Sequence, residues 1–282
     1  LGSGTIAIVN AYDHPNIEAD LGVFNGQFGL RACTTGNGCF EKVKMASNVP
    51  VSPDWAIETS LDVQWAHAIA PNAKILLVEA KSNSGTDLIA AVDYARKRSD
   101  VVAVSMSWGG DEFASEARYE TNFTSATAAF FAASGDNGTG TSWPAASANV
   151  IGVGGTSVKL NPQGQIVSET AWSGSGGGRS VYIGQPSYQA TYNVPQANRK
   201  RAIPDVSYNA DPASGYPVYD SVTINGSRGW FIVGGTSAGT PQWAALRAIS
   251  RNVNLANIYT RAKQVGQTTF RDITSGTNGR CG

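Results

Sequence analysis

Gly234-Gly235-Thr236-Ser237-Ala238-Gly239-Thr240-Pro241 is the stretch on which the reading of this chain turns. Before it stands Trp230-Phe231-Ile232-Val233, a short apolar run that reads as a strand. After it, Gln242 to Val253 carries Trp243, Leu246 and Ile249 at spacings of three, the pattern of a helix. Small residues between a strand and a helix let the backbone approach a ligand closely. A serine at the helix start also sits at the positive end of the helix dipole, which favours negative charge on its oxygen. Taken alone, such a serine is an N-cap. Whether Ser237 is more depends on what the rest of the chain offers as a base.

The chain has 282 residues, enough for one large core or two small ones. Its hydrophobic share of 41% is that of a globular protein, and its formal net charge of +0 suggests no polyanionic partner such as nucleic acid. No apolar run is long enough to span a membrane, and no signal-peptide pattern opens the chain. Leu1-Gly2-Ser3-Gly4-Thr5 instead reads as the start of a mature domain from which an earlier segment has been removed. Cys33 and Cys39 flank a polar turn that a disulfide could close, which favours an oxidising compartment. Metal ligation is the alternative, but no histidine or third cysteine lies near them in the sequence. Cys281 is left over, either free or paired outside this chain.

Outward from the opening motif, apolar runs alternate with helical patterns. Thr5–Asn10, Lys74–Ala80, Val101–Met106, Phe130–Ala133 and Asn149–Thr156 read as strands buried on both faces. Asn16–Phe24, Asp54–Ile69, Ser84–Arg98 and Ser115–Ala129 read as helices. This alternation predicts a mostly parallel, twisted α/β sheet with helices on both faces, in one domain spanning 1–282. Gly-rich turns fall at the carboxyl ends of several strands, where open α/β sheets bind ligands. From Ser157 to Gly229 the composition shifts to Gly, Ser, Tyr and Pro with short β-like runs. Ser173–Arg179 could be a flexible linker, but Trp172, Tyr182 and Tyr188 around it argue for a packed loop.

Only His14 and His67 could serve as an imidazole base. On the 54–69 helix, Glu58 and Asp62 are four apart and share one face. His67, nine residues beyond Glu58, falls on roughly the opposite side. Two acids on a solvated face are the plain alternative for the pair. Yet Glu58-x-x-x-Asp62, Ser134-Gly135-Asp136-x-Gly138 and Gly235-Thr236-Ser237-Ala238-x-x-Pro241 occur together and in that order. The combination resembles that of the sedolisins, serine-carboxyl peptidases of subtilisin-like fold. Smaller matches extend the resemblance over nearly the whole chain: Ala11-Tyr12-Asp13, Ala68-Ile69-Ala70-Pro71, Ser107-Trp108-Gly109-Gly110 and Pro204-Asp205-Val206-Ser207.

The resemblance implies that Ser237 is the nucleophile, Glu58 its general base and acid, Asp62 the group that orients Glu58, and Asp136 the oxyanion donor. The chemistry fits acid. An imidazole of pKa about 6.5 is protonated at pH 4, whereas a glutamate near 4.3 can still accept a proton. Asp136 needs the opposite state, since only a protonated acid donates to an oxyanion. Activity is therefore expected in acid, fading towards neutral pH. The resemblance further implies a substrate groove at Ser107, Trp108 and Gly109 with Ser134 and Gly135, pairing with a peptide main chain by strand addition. Trp108 as a core aromatic is the alternative. His67 and Asp205 read as structural, Asp205 as a turn aspartate bonded to its own backbone.

Asp272 and Ile273 resemble the first half of the family's calcium site, a carboxylate and a carbonyl. Calcium needs about six or more oxygens, and no Gly-x-Gly-x-Asp-like segment follows before Gly282. The resemblance also implies a polypeptide substrate, an N-terminal prosegment cleaved from a zymogen, a monomer, and secretion or an acidic lysosome-like compartment. Two other readings stand beside it: a catalytically silent binding module of the same fold, and a subtilisin-type peptidase using His67.

Overall fold

The computed structural model describes residues 1–265 and 270–279. Its strands in chain order are β1 (Thr5–Ala11), β2 (Phe40–Lys44), β3 (Lys74–Ala80), β4 (Val101–Met106), β5 (Gly110–Asp111), β6 (Ala129–Ala133), β7 (Ser142–Trp143), β8 (Val150–Leu160), β9 (Ile166–Ala171), β10 (Gly178–Gly184), β11 (Lys200–Ile203), β12 (Val206–Asn209), β13 (Tyr216–Ile224) and β14 (Ser227–Val233). The α-helices are α1 (Ile17–Phe28), α2 (Pro53–Ile69), α3 (Gly85–Arg96), α4 (Ser187–Tyr192), α5 (Thr236–Ile249) and α6 (Leu255–Val265). The main sheet runs β12-β8-β6-β4-β1-β3-β2 and is parallel throughout, with β9 added antiparallel to β8.

The continuous apolar runs are explained by two covered faces. In β1, Ile6 and Ile8 face α2 and α5 through Val63, Ala66, Ala244 and Ala245. Ala7 and Val9, one residue out of phase, face α3 through Leu88, Ala91, Val92 and Ala95. Alternate side chains point to opposite faces, so a strand with helices on both sides must be apolar at every position. The fold is the expected one: a mostly parallel subtilisin-like α/β sheet with helices on both faces.

Two expectations need correction, and a third, the strand at Trp230–Val233, is met outside the main sheet. Ser115–Ala129 is not an α-helix: a 3-10 helix runs only from Glu116 to Phe123. Side chains there compete for the backbone, with Thr124 Oγ1 donating to Thr121 O at 2.7 Å and Ser125 Oγ accepting from the amides of Thr127 and Ala128. The apolar run before the serine motif belongs to an antiparallel hairpin, β13–β14, outside the main sheet. That hairpin lies on α2, where Leu61, Tyr216, Val218 and Ala238 form a small core. Finally, α5 starts at Thr236, six residues earlier than its apolar spacing suggested, so the serine motif forms its first turns. Gly174 to Gly178 form a packed loop, as the surrounding aromatics indicated: Gly176 accepts no Cβ, because one would lie 1.9 Å from Ser134 O.

Candidate active site

Glu58 and Asp62 lie on the buried face of α2, which begins with Pro53 in its first turn and ends before Pro71. Ser237 is the second residue of α5, and these two helices pack closely against each other. Pro241 within α5 has no N–H to offer the carbonyl of Ser237 four residues back. The hydroxyl of Ser107 stands 3.4 Å from that carbonyl instead. The helix thus keeps an open backbone position beside the serine. Gly235 holds φ at +104°, and a Cβ there would fall 2.7 Å from Asp136 Oδ2. Glycine is required at this turn because both the conformation and the space exclude a side chain.

Ser107 Oγ donates to Asp62 Oδ1 at 2.7 Å, and Asn10 Nδ2 donates to Asp62 Oδ2 at 3.0 Å. Asp62 is fully buried without a cation. Burial raises its pKa, and the Ser107 and Asn10 hydrogen bonds only partly oppose this. Glu58 is pushed well above the ordinary glutamate range, first by burial and then by repulsion from Asp62, against a lowering contribution from the Ser237 hydroxyl. Glu58 Oε1 is buried without a hydrogen-bond partner. The two acids therefore titrate as one buried pair, and both hold protons more tightly than free carboxyls do.

Asp136 follows β6 and meets the N-terminus of α5. Its Oδ1 accepts from Thr236 N at 2.7 Å and from Thr236 Oγ1 at 2.9 Å. Oδ2 is left to face Gly235. Ser134 is buried, with Oγ donating to Gly176 O at 2.8 Å, while Gly135 N donates to Thr236 Oγ1 at 3.2 Å. The structure thus gathers Glu58, Asp62, Ser107, Ser134, Gly135, Asp136 and Ser237 where α2, α5 and the carboxyl ends of β4 and β6 converge.

Other sequence candidates fall elsewhere. The Trp108 side chain is in the core, its Nε1 donating to Val9 O at 2.9 Å and its ring set against Trp143. Only the main chain of Ser107–Gly109 is left for a groove. Both histidines are engaged away from the serine: His67 Nε2 pairs with Arg31 O at 3.0 Å, and His14 Nε2 lies 2.8 Å from Ser60 Oγ. Asp205 is structural but not a self-bonded turn residue. It forms a fully buried ion pair with Arg201 and accepts from Tyr259 Oη at 2.6 Å and Gly152 N at 2.7 Å. Cys33 and Cys39 form a disulfide. Folding sets His67 beside the two sulfurs, a neighbour invisible in the sequence, but bonded sulfurs are not thiolate ligands.

Asp272 is exposed and joins no cluster of three or more His, Cys, Asp or Glu side chains among the described residues; calcium would need about six oxygens, of which Asp272 and Ile273 would supply two. Cys281 lies outside the described residues. Sequence reasoning missed Asn10 and Thr236. Asn10 had a signal, a polar residue at the carboxyl end of an apolar strand. Thr236 could have been read from the motif itself.

Comparison with known proteins bears on the whole chain. Residues 48–280 match the model of the Subtilase family. Kumamolisin of Bacillus sp. (strain MN-32) is 36% identical over 267 residues, which cover 81% of this chain and 46% of that protein. Sedolisin of Pseudomonas sp. (strain 101) is 32% identical over 155 residues, 49% of this chain and 25% of that protein. The chain thus spans under half the length of the relatives it matches. The solved structure of Pseudomonas sedolisin, a serine-carboxyl proteinase complexed with two molecules of pseudo-iodotyrostatin, superposes with a TM-score of 0.80 at 26% identity, covering 99% of this chain and 84% of that one. A cold-adapted subtilisin-like serine proteinase shares the fold at 16% identity and a TM-score of 0.60. By motif order, fold and relatedness, the chain belongs to the subtilase family and, within it, is similar to kumamolisin and sedolisin.

Proposed function

We propose that this chain is the catalytic domain of a peptidase that hydrolyses polypeptides in acid through an acyl-enzyme on Ser237. One observation carries the reading: two carboxyls, the fully buried Asp62 and the half-buried Glu58 with its Oε1 enclosed, stand without any cation beside a helix-start serine, while both histidines are engaged elsewhere. In the first step Ser237 Oγ attacks the scissile carbonyl carbon and its proton passes to the Glu58 carboxylate. The carbonyl oxygen becomes an oxyanion, and Asp136, protonated at Oδ2, donates to it. Glu58 then returns the proton to the leaving amine as the C–N bond breaks, leaving an ester. Water repeats the sequence on the ester, with Glu58 as base, and releases Ser237.

The raised pKa values of Glu58 and Asp62 refine the expected pH profile. A doubly protonated pair has no base, so the acid limb lies above the ordinary glutamate range, where the pair loses its first proton. The reading also requires Asp136 to donate as the neutral acid, since a carboxylate there repels the oxyanion. Asp62, fixed by Ser107 and Asn10, holds the Glu58 partner in place. Asp272 and Ile273 would supply two oxygens to a calcium ion and take no part in these steps. Endopeptidase cleavage is the proposed form, on the Ser107–Gly109 main chain as a strand-addition edge. A monomer cleaved from its prosegment and acting outside the cell or in an acidic compartment accords with the Cys33–Cys39 disulfide. Among the described residues no helix is long and apolar enough to cross a membrane.

The test is peptide hydrolysis from strong acid to mild alkali, with product mapping, on wild type, Glu58→Gln and His67→Ala. Turnover in acid that is lost only in Glu58→Gln supports the reading. Loss in His67→Ala with a maximum near neutrality replaces it by imidazole catalysis, and inactivity of the folded wild type at every pH replaces it by a binding role. Release of tripeptides alone would change the proposed form from endopeptidase to exopeptidase.

A further inference from the structure

At the other end of the sheet from Ser237, a cleft of about 340 Å³ opens between the loop after the 3-10 helix, the start of β6 and the first turn of α6. Its wall mixes apolar side chains, among them Phe123, Phe130, Ile151 and Leu255, with the polar Thr124, Ser125, Thr127 and Asn254. Arg247, near the C-terminus of α5, is the one charged side chain lining it. Arg247 Nε donates to Val102 O at 3.3 Å and Nη2 to Thr127 O at 3.2 Å, but Nη1 is buried with no hydrogen-bond partner. None of the ion pairs among the described residues includes Arg247.

The hydroxyls around the cleft are already used as donors. Thr124 Oγ1 donates to Thr121 O, Ser125 Oγ to Arg96 O, and Thr127 Oγ1 to Val101 O. Asn149 Nδ2 is held by Glu120, the acid closest through this chain of bonds. Glu120 is itself taken up by Ser147, Ala148 and the charge of Arg201. What faces Arg247 as a charge is another cation, Arg251, whose guanidinium is bonded to Ser3 O and Arg247 O. Burial and Arg251 both disfavour the Arg247 charge, and no carboxylate offsets them.

A guanidinium keeps its proton under such pressure and meets it by taking a counter-anion. We propose that the Arg247 cleft is a binding site for a small oxyanion, an organic carboxylate or an inorganic sulfate or phosphate. Its charged oxygens pair with the guanidinium where it lines the cleft, the group turning to bring the buried, unpartnered Nη1 to them, and any apolar body lies against Phe123, Phe130 or Leu255. The site shares helix α5 with Ser237 but none of the residues of the peptidase reading, so it stands whether or not that reading does.

Isothermal titration of the whole chain with sulfate, phosphate, acetate and citrate, at constant ionic strength set by chloride, tests it. Wild type is expected to bind at least one of these saturably, and comparison of the four separates inorganic from carboxylate ligands. Arg247→Met should weaken that binding by roughly tenfold to a hundredfold, the share of one charge-assisted hydrogen bond. Ala256→Trp, at an exposed rim position, should abolish binding by filling the cleft while keeping Arg247. Because Arg247→Met also removes two structural hydrogen bonds, Ala256→Trp decides the matter if the first variant does not fold. Absence of saturable binding by wild type, or binding unchanged in Ala256→Trp, overturns the proposal.

Discussion

Two sets of buried acids in this molecule have opposite surroundings. Asp205 is wholly buried and wholly partnered, with Arg201 bonded to both its oxygens and Tyr259, Gln189 and Gly152 filling the remaining positions. Asp62 is equally buried, Glu58 beside it is half-buried with its Oε1 enclosed, and neither has a cation. A charge paired in low dielectric is held in one state and one place. An unpaired acid in the same medium keeps a proton within reach. The first arrangement pins β12 to β8 and α6; the second can exchange a proton with a neighbouring hydroxyl. Burial alone does not separate structure from chemistry; here the counter-ion beside Asp205 and the serine beside Glu58 do.

The largest expected effect breaks the unpaired side of that contrast. Glu58→Gln and Ser237→Ala should each lower kcat by roughly 10⁴ to 10⁶-fold, and the double variant should fall little further, because the groups act as one unit. Single-turnover assays in acid check both the size and the non-additivity. Breaking the paired side should show in stability instead. Arg201→Met strands a buried carboxylate and should cost about 3–5 kcal/mol in denaturant unfolding, most of it recovered when Asp205→Leu is added. Asp136→Ala should lose roughly a hundredfold to a thousandfold in rate, the usual worth of an oxyanion donor. Asp136→Asn, which donates at any pH, should instead extend activity on the alkaline side.

A smaller effect sharpens the comparison through pH. Glu58 and Asp62 have folded pKa values above their unfolded ones, and burial also pushes Glu79 and Glu116 up to about 7. The stability they contribute is complete below the unfolded carboxyl pKa and is lost as pH rises through the folded values. Asp100, held down to about 2 by Arg98, works the other way and loses its contribution only in strong acid. The melting temperature should therefore peak in moderate acid and fall between about pH 5 and 8. A flat or rising profile across that window would contradict the raised pKa values. The smallest effect concerns Asp272 and Ile273, which would supply two oxygens to a calcium ion: a melting temperature lowered by a chelator supports that role, and one left unchanged speaks against it.

Much of the site was legible because its parts are local. Glu58 and Asp62 share a helix face by a spacing of four, and Ser237 announces itself through the small residues around it. The carboxyl ends of β1, β4 and β6 could be located from apolar runs alone. Trp108 was harder, since an aromatic at a strand end serves a groove or a core equally well until its neighbours are known. Ser115–Ala129 misled because apolar spacing said helix while Thr and Ser side chains captured the backbone. The start of α5 was read late for a related reason: Gly, Ser, Thr and Pro have poor helix propensity, and packing against α2 and the sheet overrode it.

By itself the sequence determined the strand and helix order, the shared face of the two acids and the rejection of His67 as their partner, since all of these rest on periodicity along a few turns of chain. Only the tertiary structure decided which face of α2 meets α5, that Asn10 and Ser107 grip Asp62, and that Asp62 lies out of reach of water beside a half-buried Glu58. Those facts depend on residues more than forty positions apart being packed together, and the proton affinity of a carboxyl is set by that packing rather than by its neighbours in the chain.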